Sequence, residues 1–201
     1  AAFVDDAKNL RYELEKAIHI ATTGRKGPVL LDIAMNVQRT DINPDELLGY
    51  KDDVNPIEEK FDLTEIVDLF SKSKRPMVLL GAGCIGDEVQ KHLENFIFNH
   101  EIPVVTSLMG RGAIDETYKY YIGMVGSYGN RCANIAISQA DLLIVLGSRL
   151  DTRQTGAKID TFLKNGHIVH VDIDANELKY HRIHGQKNVN MDVLTFLQAL
   201  K

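Results

Sequence analysis

Two arginines flank an aspartate at alternate positions, Arg149, Asp151 and Arg153, directly after the apolar run Leu-Leu-Ile-Val-Leu at 142–146. A run of that length and branching reads as a strand buried on both faces, as in a parallel sheet. In an open α/β sheet, ligands bind in the crevice beyond the carboxyl ends of the strands. Guanidinium groups placed there pair with phosphate oxygens, so the implied chemistry is capture of an anionic ligand such as a pyrophosphate. The competing reading is a polar loop closed by an internal Arg–Asp pair.

A second constellation is Gly81-Ala82-Gly83-Cys84-Ile85-Gly86, which satisfies G-x-G-x-x-G between an apolar run and a helical pattern. That spacing is the dinucleotide fingerprint. The fingerprint also requires an acid at the end of the second strand, where it holds the ribose hydroxyls. Here the second apolar run ends in Thr106-Ser107, and the acid arrives much later, at Asp172. A stand-alone NAD-dependent enzyme therefore lacks half of its signature. Cys84 reads as a small packed side chain of the glycine turn. His181 and His184 read as a solvated turn, and the histidines show no H-x-x-x-H metal spacing.

These residues need a scaffold, and the pattern supplies one. Strands are expected over 77–80, 103–106, 142–146 and 168–173, with helices over 89–98 and 132–139 between them. A last helix carries Val193, Phe196, Leu197 and Leu200 on one face. Alternating strands and helices imply an α/β fold with a doubly wound parallel sheet. It starts at a capping signature, Asp62 with Glu65 three residues on. Ahead of it, Leu10, Leu14, Ala17, Ile18 and Ala21 recur at helical spacing, Gly24 stops the helix, and a strand follows over 29–33. One helix and one strand do not make a domain, so 1–35 reads as the tail of a neighbouring domain. The stretch 36–60 is polar, with Pro44 and Pro56, and reads as a linker. The sheet domain occupies 61–201.

A net charge of −5 over 201 residues argues against nucleic acid and anionic membrane as partners. No apolar run approaches the ~20 residues of a membrane helix. The two cysteines form no C-x-x-C unit, so neither a disulfide framework nor a zinc site is expected, and a reducing cytoplasm is the default. The chain does not begin with methionine, which suggests a piece of something longer.

Four segments resemble, in order, motifs of the acetohydroxyacid (acetolactate) synthases among the thiamine-diphosphate-dependent enzymes. T-T-G-R-K-G-P-V-L-L-D-I at 22–33 is similar to the S-G-R-P-G-P-V-L-V-D-I-P that ends their N-terminal, pyrimidine-binding domain. V-V-T-S-L-M-G-R-G-A at 104–113 resembles their T-T-L-M-G-x-G-A loop. L-D-T-R-Q-T-G at 150–156 is similar to F-D-D-R-V-T-G, and H-I-V-H-V-D-I-D at 167–174 to a strand ending D-I-D. The resemblance implies the central, FAD-type domain of such an enzyme. By that likeness Gly81, Ala82 and Gly83 let backbone approach the cofactor, and Thr106, Leu108 and Met109 lie beside the flavin or its ribityl chain. Gly147, Arg149 and Arg153, with Asp151 between them, approach its polar and phosphate portions. Asp172 accepts from the adenosine ribose, and Asp192 lies near the adenine.

The sequence also departs from the family pattern. Tyr128 stands where the family has the histidine of M-H-G, Thr152 where it has a second aspartate, and Met191 where it has the glycine before Asp192. ADP, or an architectural spacer with an empty cleft, stays open beside FAD. The likeness places thiamine diphosphate, Mg²⁺ and the chemistry of pyruvate decarboxylation and carboligation in domains outside this chain. No catalytic residue and no metal ligand are therefore expected here. The partners it implies are the N- and C-terminal domains of the parent, in a homo-oligomer.

Overall fold

Branched side chains crowd a helix but pack well on a pleated surface, and the apolar runs do form strands. A computed structural model of the chain describes residues 1–52, 62–183 and 186–200. The chain divides into two compact units, Ala1–Glu59 and Lys60–Lys201.

In the first unit, β1 (Ala2–Val4) precedes α1 (Leu10–Thr22), and β2 (Leu31–Ile33) pairs with β1 in parallel before the short α2 (Met35–Gln38). Gly24, with φ of +54°, ends the α1 region in the left-handed conformation that glycine adopts freely. Part of the expected linker is packed on α1. Tyr50 meets Tyr12 edge to face with centroids 5.5 Å apart, its amide donates to Glu15 at 2.7 Å, and Asp52 meets His19 at 3.1 Å. Residues 53–60, and Phe61 at the expected domain start, lie outside the described residues.

The second unit continues with α3 (Thr64–Lys72), β3 (Pro76–Leu80), α4 (Asp87–Asn99), β4 (Val104–Thr106), β5 (Tyr121–Met124), α5 (Arg131–Gln139) and β6 (Leu142–Leu146). After these come α6 (Thr152–Thr155), β7 (His167–Asp172), α7 (Ala175–Lys179), β8 (Lys187–Asn190) and α8 (Val193–Ala199). Asp62 accepts from the Thr64 amide at 2.9 Å at the start of α3, while Glu65 reaches Lys187 of β8 instead of closing a capping box.

The six strands run parallel in the order β5-β4-β3-β6-β7-β8. This is the doubly wound arrangement in which the strand order reverses between the first and fourth strands of the sheet in chain order, here β3 and β6. Side chains alternate between the two faces. Leu142, Ile144 and Leu146 join Val169, Val171 and the helical Leu93, Ile97 and Phe196 on one side. Leu143 and Val145 join Ile168 and the helical Ala133 and Ile137 on the other. β6 is buried along its whole length, which is why its sequence shows no period. The expected doubly wound sheet is therefore present, with Leu80, Thr106, Leu146 and Asp172 ending strands at its carboxyl edge.

Candidate functional site

The crevice of such a sheet opens where the strand order reverses, beyond β3 and β6. The loops leaving those strands are tied to each other. Gly81 donates to the Leu146 carbonyl at 2.9 Å, and Gly83 to the Gly147 carbonyl at 3.1 Å. A Cβ on Gly81 would lie 2.0 Å from the Gly147 oxygen, and one on Gly83 would lie 2.9 Å from the Gly147 Cα. The space freed by these two glycines is thus filled by the backbone after β6. Of the three residues, Ala82 lines the cleft described next. Cys84 is fully buried and donates to the Leu146 carbonyl at 3.3 Å. Burial pushes its thiol up to about 12, which favours the protonated thiol at neutral pH.

In front of these loops lies a cleft of about 270 Å³. It brings together Ala82, Leu108, Met109, Gly147, Arg149, Asp151 and Arg153 from the predicted set. Leu108, Met109 and Tyr128 offer apolar surface to the cleft; Met109 is 70% and Tyr128 74% exposed. Ser127, Ser148, Arg149 and Arg153 provide the polar side.

The charges differ from the internal-pair reading. Asp151 is the N-cap of α6, and its carboxylate accepts from the Arg153 and Gln154 amides at 2.9 and 3.1 Å. Arg149 pairs with Glu177 of α7 at 3.0 Å. Among the described residues no carboxylate pairs with Arg153. Its carbonyl is fixed by the Ser127 amide at 2.8 Å, which holds the backbone while the guanidinium stays available.

Other predicted residues do not line the cleft. Thr106 is buried, its hydroxyl 3.1 Å from that of Tyr121. Asp172 is buried at the end of β7 and accepts from the Asp174 amide at 2.9 Å. Asp174, not Asp172, caps α7. Asp192 caps α8 through the Leu194 amide at 2.9 Å. The cleft also uses Ser107, Ser127, Tyr128, Ser148 and Gln154, polar or exposed residues within the motifs that no expectation assigned.

His181 is not in a solvated turn. It is half-buried, its Nε2 lies 3.0 Å from the Arg149 carbonyl and its Nδ1 accepts from the Ile183 amide at 3.1 Å. His184 lies outside the described residues. Among the described residues no group of three or more His, Cys, Asp or Glu is placed to hold a metal ion, and no helix is long and apolar enough to cross a membrane.

Comparison with known proteins places this geometry in context. Residues 63–200 match the family model for the thiamine pyrophosphate enzyme central domain. The chain is 36% identical over 187 residues to a probable acetolactate synthase large subunit of Methanococcus aeolicus, covering 88% of this chain and 29% of that protein. It is 36% identical over 180 residues to the acetolactate synthase large subunit of Corynebacterium glutamicum, covering 87% and 28%. Against acetolactate synthase 2, chloroplastic, of Nicotiana tabacum it is 34% identical over 180 residues, covering 87% and 27%. The chain thus spans less than a third of the length of these relatives.

Proposed function

The chain belongs to the family of thiamine pyrophosphate enzyme central domains, and from that premise we propose that it is the cofactor-holding central domain of an acetolactate-synthase-like enzyme. Its parent would decarboxylate pyruvate and ligate the product to a second keto acid. Thiamine diphosphate and Mg²⁺ would sit in the flanking N- and C-terminal domains, with the parent a cytoplasmic homo-oligomer. The stretch 1–35 would be the end of the first of those domains, and 61–201 the central domain.

The ligand we propose for the cleft is FAD or ADP. The observation that carries this reading is Arg153, a guanidinium without a carboxylate partner among the described residues, facing the same cleft as exposed Leu108, Met109 and Tyr128. A flat ring against apolar side chains, with a phosphate on a guanidinium, satisfies both sides at once. Arg149 would assist from the same loop. Asp172 would accept from a ribose hydroxyl, and Asp192 would lie toward the adenine. A bound flavin would supply a redox-capable ring; the residues of this chain would orient it and shield it from water.

An architectural spacer is the second reading, and one observation favours it: protein backbone fills the space in front of Gly81 and Gly83. Calorimetry separates the two. We expect FAD or ADP to bind more tightly than NAD, and Arg153→Ala to weaken FAD about tenfold or more, since a charge-assisted contact contributes about 1.5–3 kcal/mol. NAD preference, or an Arg153→Ala variant that binds FAD as wild type does, would overturn the nucleotide site. Silence with all three ligands would leave the spacer.

A further inference from the structure

His170 interrupts the apolar strand Ile168-Val169-His170-Val171 and is fully buried. A polar ring in that position requires a partner, and its Nε2 lies 2.7 Å from the Ser148 carbonyl. A carbonyl only accepts, so the imidazole donates. Burial, the largest influence on this group, moves its pKa down and favours the neutral ring. His181 does the same one residue on, donating from Nε2 to the Arg149 carbonyl while its Nδ1 accepts from Ile183. The two rings meet edge to face at 5.1 Å. Two imidazoles from different segments thus grip two consecutive carbonyls of the loop after β6.

That loop needs holding. Gly147 has φ of +55° and Leu150 has φ of +46°, and a bulky side chain is rarely found in the left-handed region. Such a conformation persists only where its surroundings over-determine it. The residues between these two points are Ser148 and Arg149, whose carbonyls the histidines take, and the next turn carries Asp151 and Arg153. The backbone pinned by the histidines therefore leads directly into the turn that carries Arg153.

We propose that His170 and His181 are positioning residues that lock the 147–150 backbone and so fix the start of the turn from which Arg153 meets the anion in the cleft. The link to a ligand rests on the nucleotide reading above; the backbone lock does not. The test uses the 201-residue chain with His181→Leu, which removes the donor, and His181→Gln, whose amide nitrogen can still donate to the Arg149 carbonyl. Hydrogen exchange over 147–156 without ligand reads the lock, and calorimetry with FAD reads its consequence.

Exchange in His181→Leu is expected to rise about tenfold, a local opening easier by one decade. FAD affinity should fall roughly fivefold, and His181→Gln should restore both. A His181→Leu chain with wild-type exchange overturns the proposal. So does raised exchange with unchanged FAD affinity, or failure of His181→Gln to rescue. If the wild type binds no FAD, the cofactor reading falls and exchange alone decides the lock.

Discussion

The two edges of the six-stranded sheet use their polar groups in opposite ways. At the amino edge, Asp141 accepts from the Ser73 hydroxyl and from the Lys74 and Arg75 amides at 2.9 and 3.0 Å. Its carbonyl takes the His167 amide at 2.9 Å, and its own amide reaches Arg75 at 3.3 Å. One residue therefore ties the approaches to β3, β6 and β7. The carboxyl edge has a guanidinium without a carboxylate partner among the described residues and large apolar side chains in water. An edge whose hydrogen bonds close on themselves serves stability. An edge that keeps donors and apolar surface facing outward can serve a ligand.

The sharpest way to break this contrast is to overfill the carboxyl edge where it is densest. Gly81→Ala sets a Cβ 2.0 Å from the Gly147 oxygen and 2.5 Å from the Ser148 Cα, all backbone. No rotamer relieves that, so the two loops must separate. We expect a loss of about 3 kcal/mol, the upper end for overpacking, measured by urea unfolding. A stability equal to wild type would show that the loops after β3 and β6 are not closed on one another.

At the other edge the expected cost is somewhat smaller, and its location matters more than its size. Asp141→Ala removes the acceptor for two backbone amides and a hydroxyl. Losing hydrogen bonds to a charged acceptor costs about 1.5–3 kcal/mol, so we expect a drop of about 2 kcal/mol in unfolding free energy. FAD affinity of the folded protein should stay as in wild type. Parallel loss of affinity would mean that the edges are coupled through the strands and that the division of labour is wrong.

The same contrast explains what could be read from the residues alone. β3, β4, β6 and most of β7 were legible because a strand buried on both faces must be apolar throughout. β8 was not: Lys187-Asn188-Val189-Asn190 buries one apolar side chain at the sheet margin. β5 was hidden by Gly123, whose φ of +126° resembles turn chemistry. In the cleft, the charges of Arg149 and Arg153 stand out after an apolar run, but the sequence does not show that Arg149 pairs with Glu177 of α7. The role of Asp151 was not legible, since capping and ion pairing draw on the same residue type. The glycine turn was read by its motif, but a glycine beside backbone and a glycine beside a ligand look alike in sequence. His170 did leave a signal, a polar ring inside an apolar strand, and its partner could not be named because the Ser148 carbonyl belongs to another strand's loop.

Acid gives the smallest expected effect, and it sets the two edges apart by pH. His170 is disfavoured as a cation first by burial and also by the ring of His181. The Ser148 carbonyl, Asp172 and Gln186 act the other way without reversing the balance, so its pKa stands below the ordinary 6.5. The folded chain then takes this proton at lower pH than the unfolded chain does. Between those points the unfolded state binds more protons, and stability declines as pH falls from above 6.5. Asp141 behaves as a carboxylate held low. Burial works against its ionisation, but the Ser73, Lys74 and Arg75 hydrogen bonds and the Arg75 charge outweigh it and keep it below 3.8. Its contribution is intact above that value and is lost only as pH falls further. The carboxyl edge should therefore weaken first, the amino edge last. Urea unfolding at pH 8 and pH 5 should show a modest loss in wild type and a smaller one in His170→Gln, which keeps a donor for Ser148 and cannot titrate. An equal loss in both chains would remove His170 as the cause and, with it, the claim that the carboxyl edge is the acid-sensitive side of the sheet.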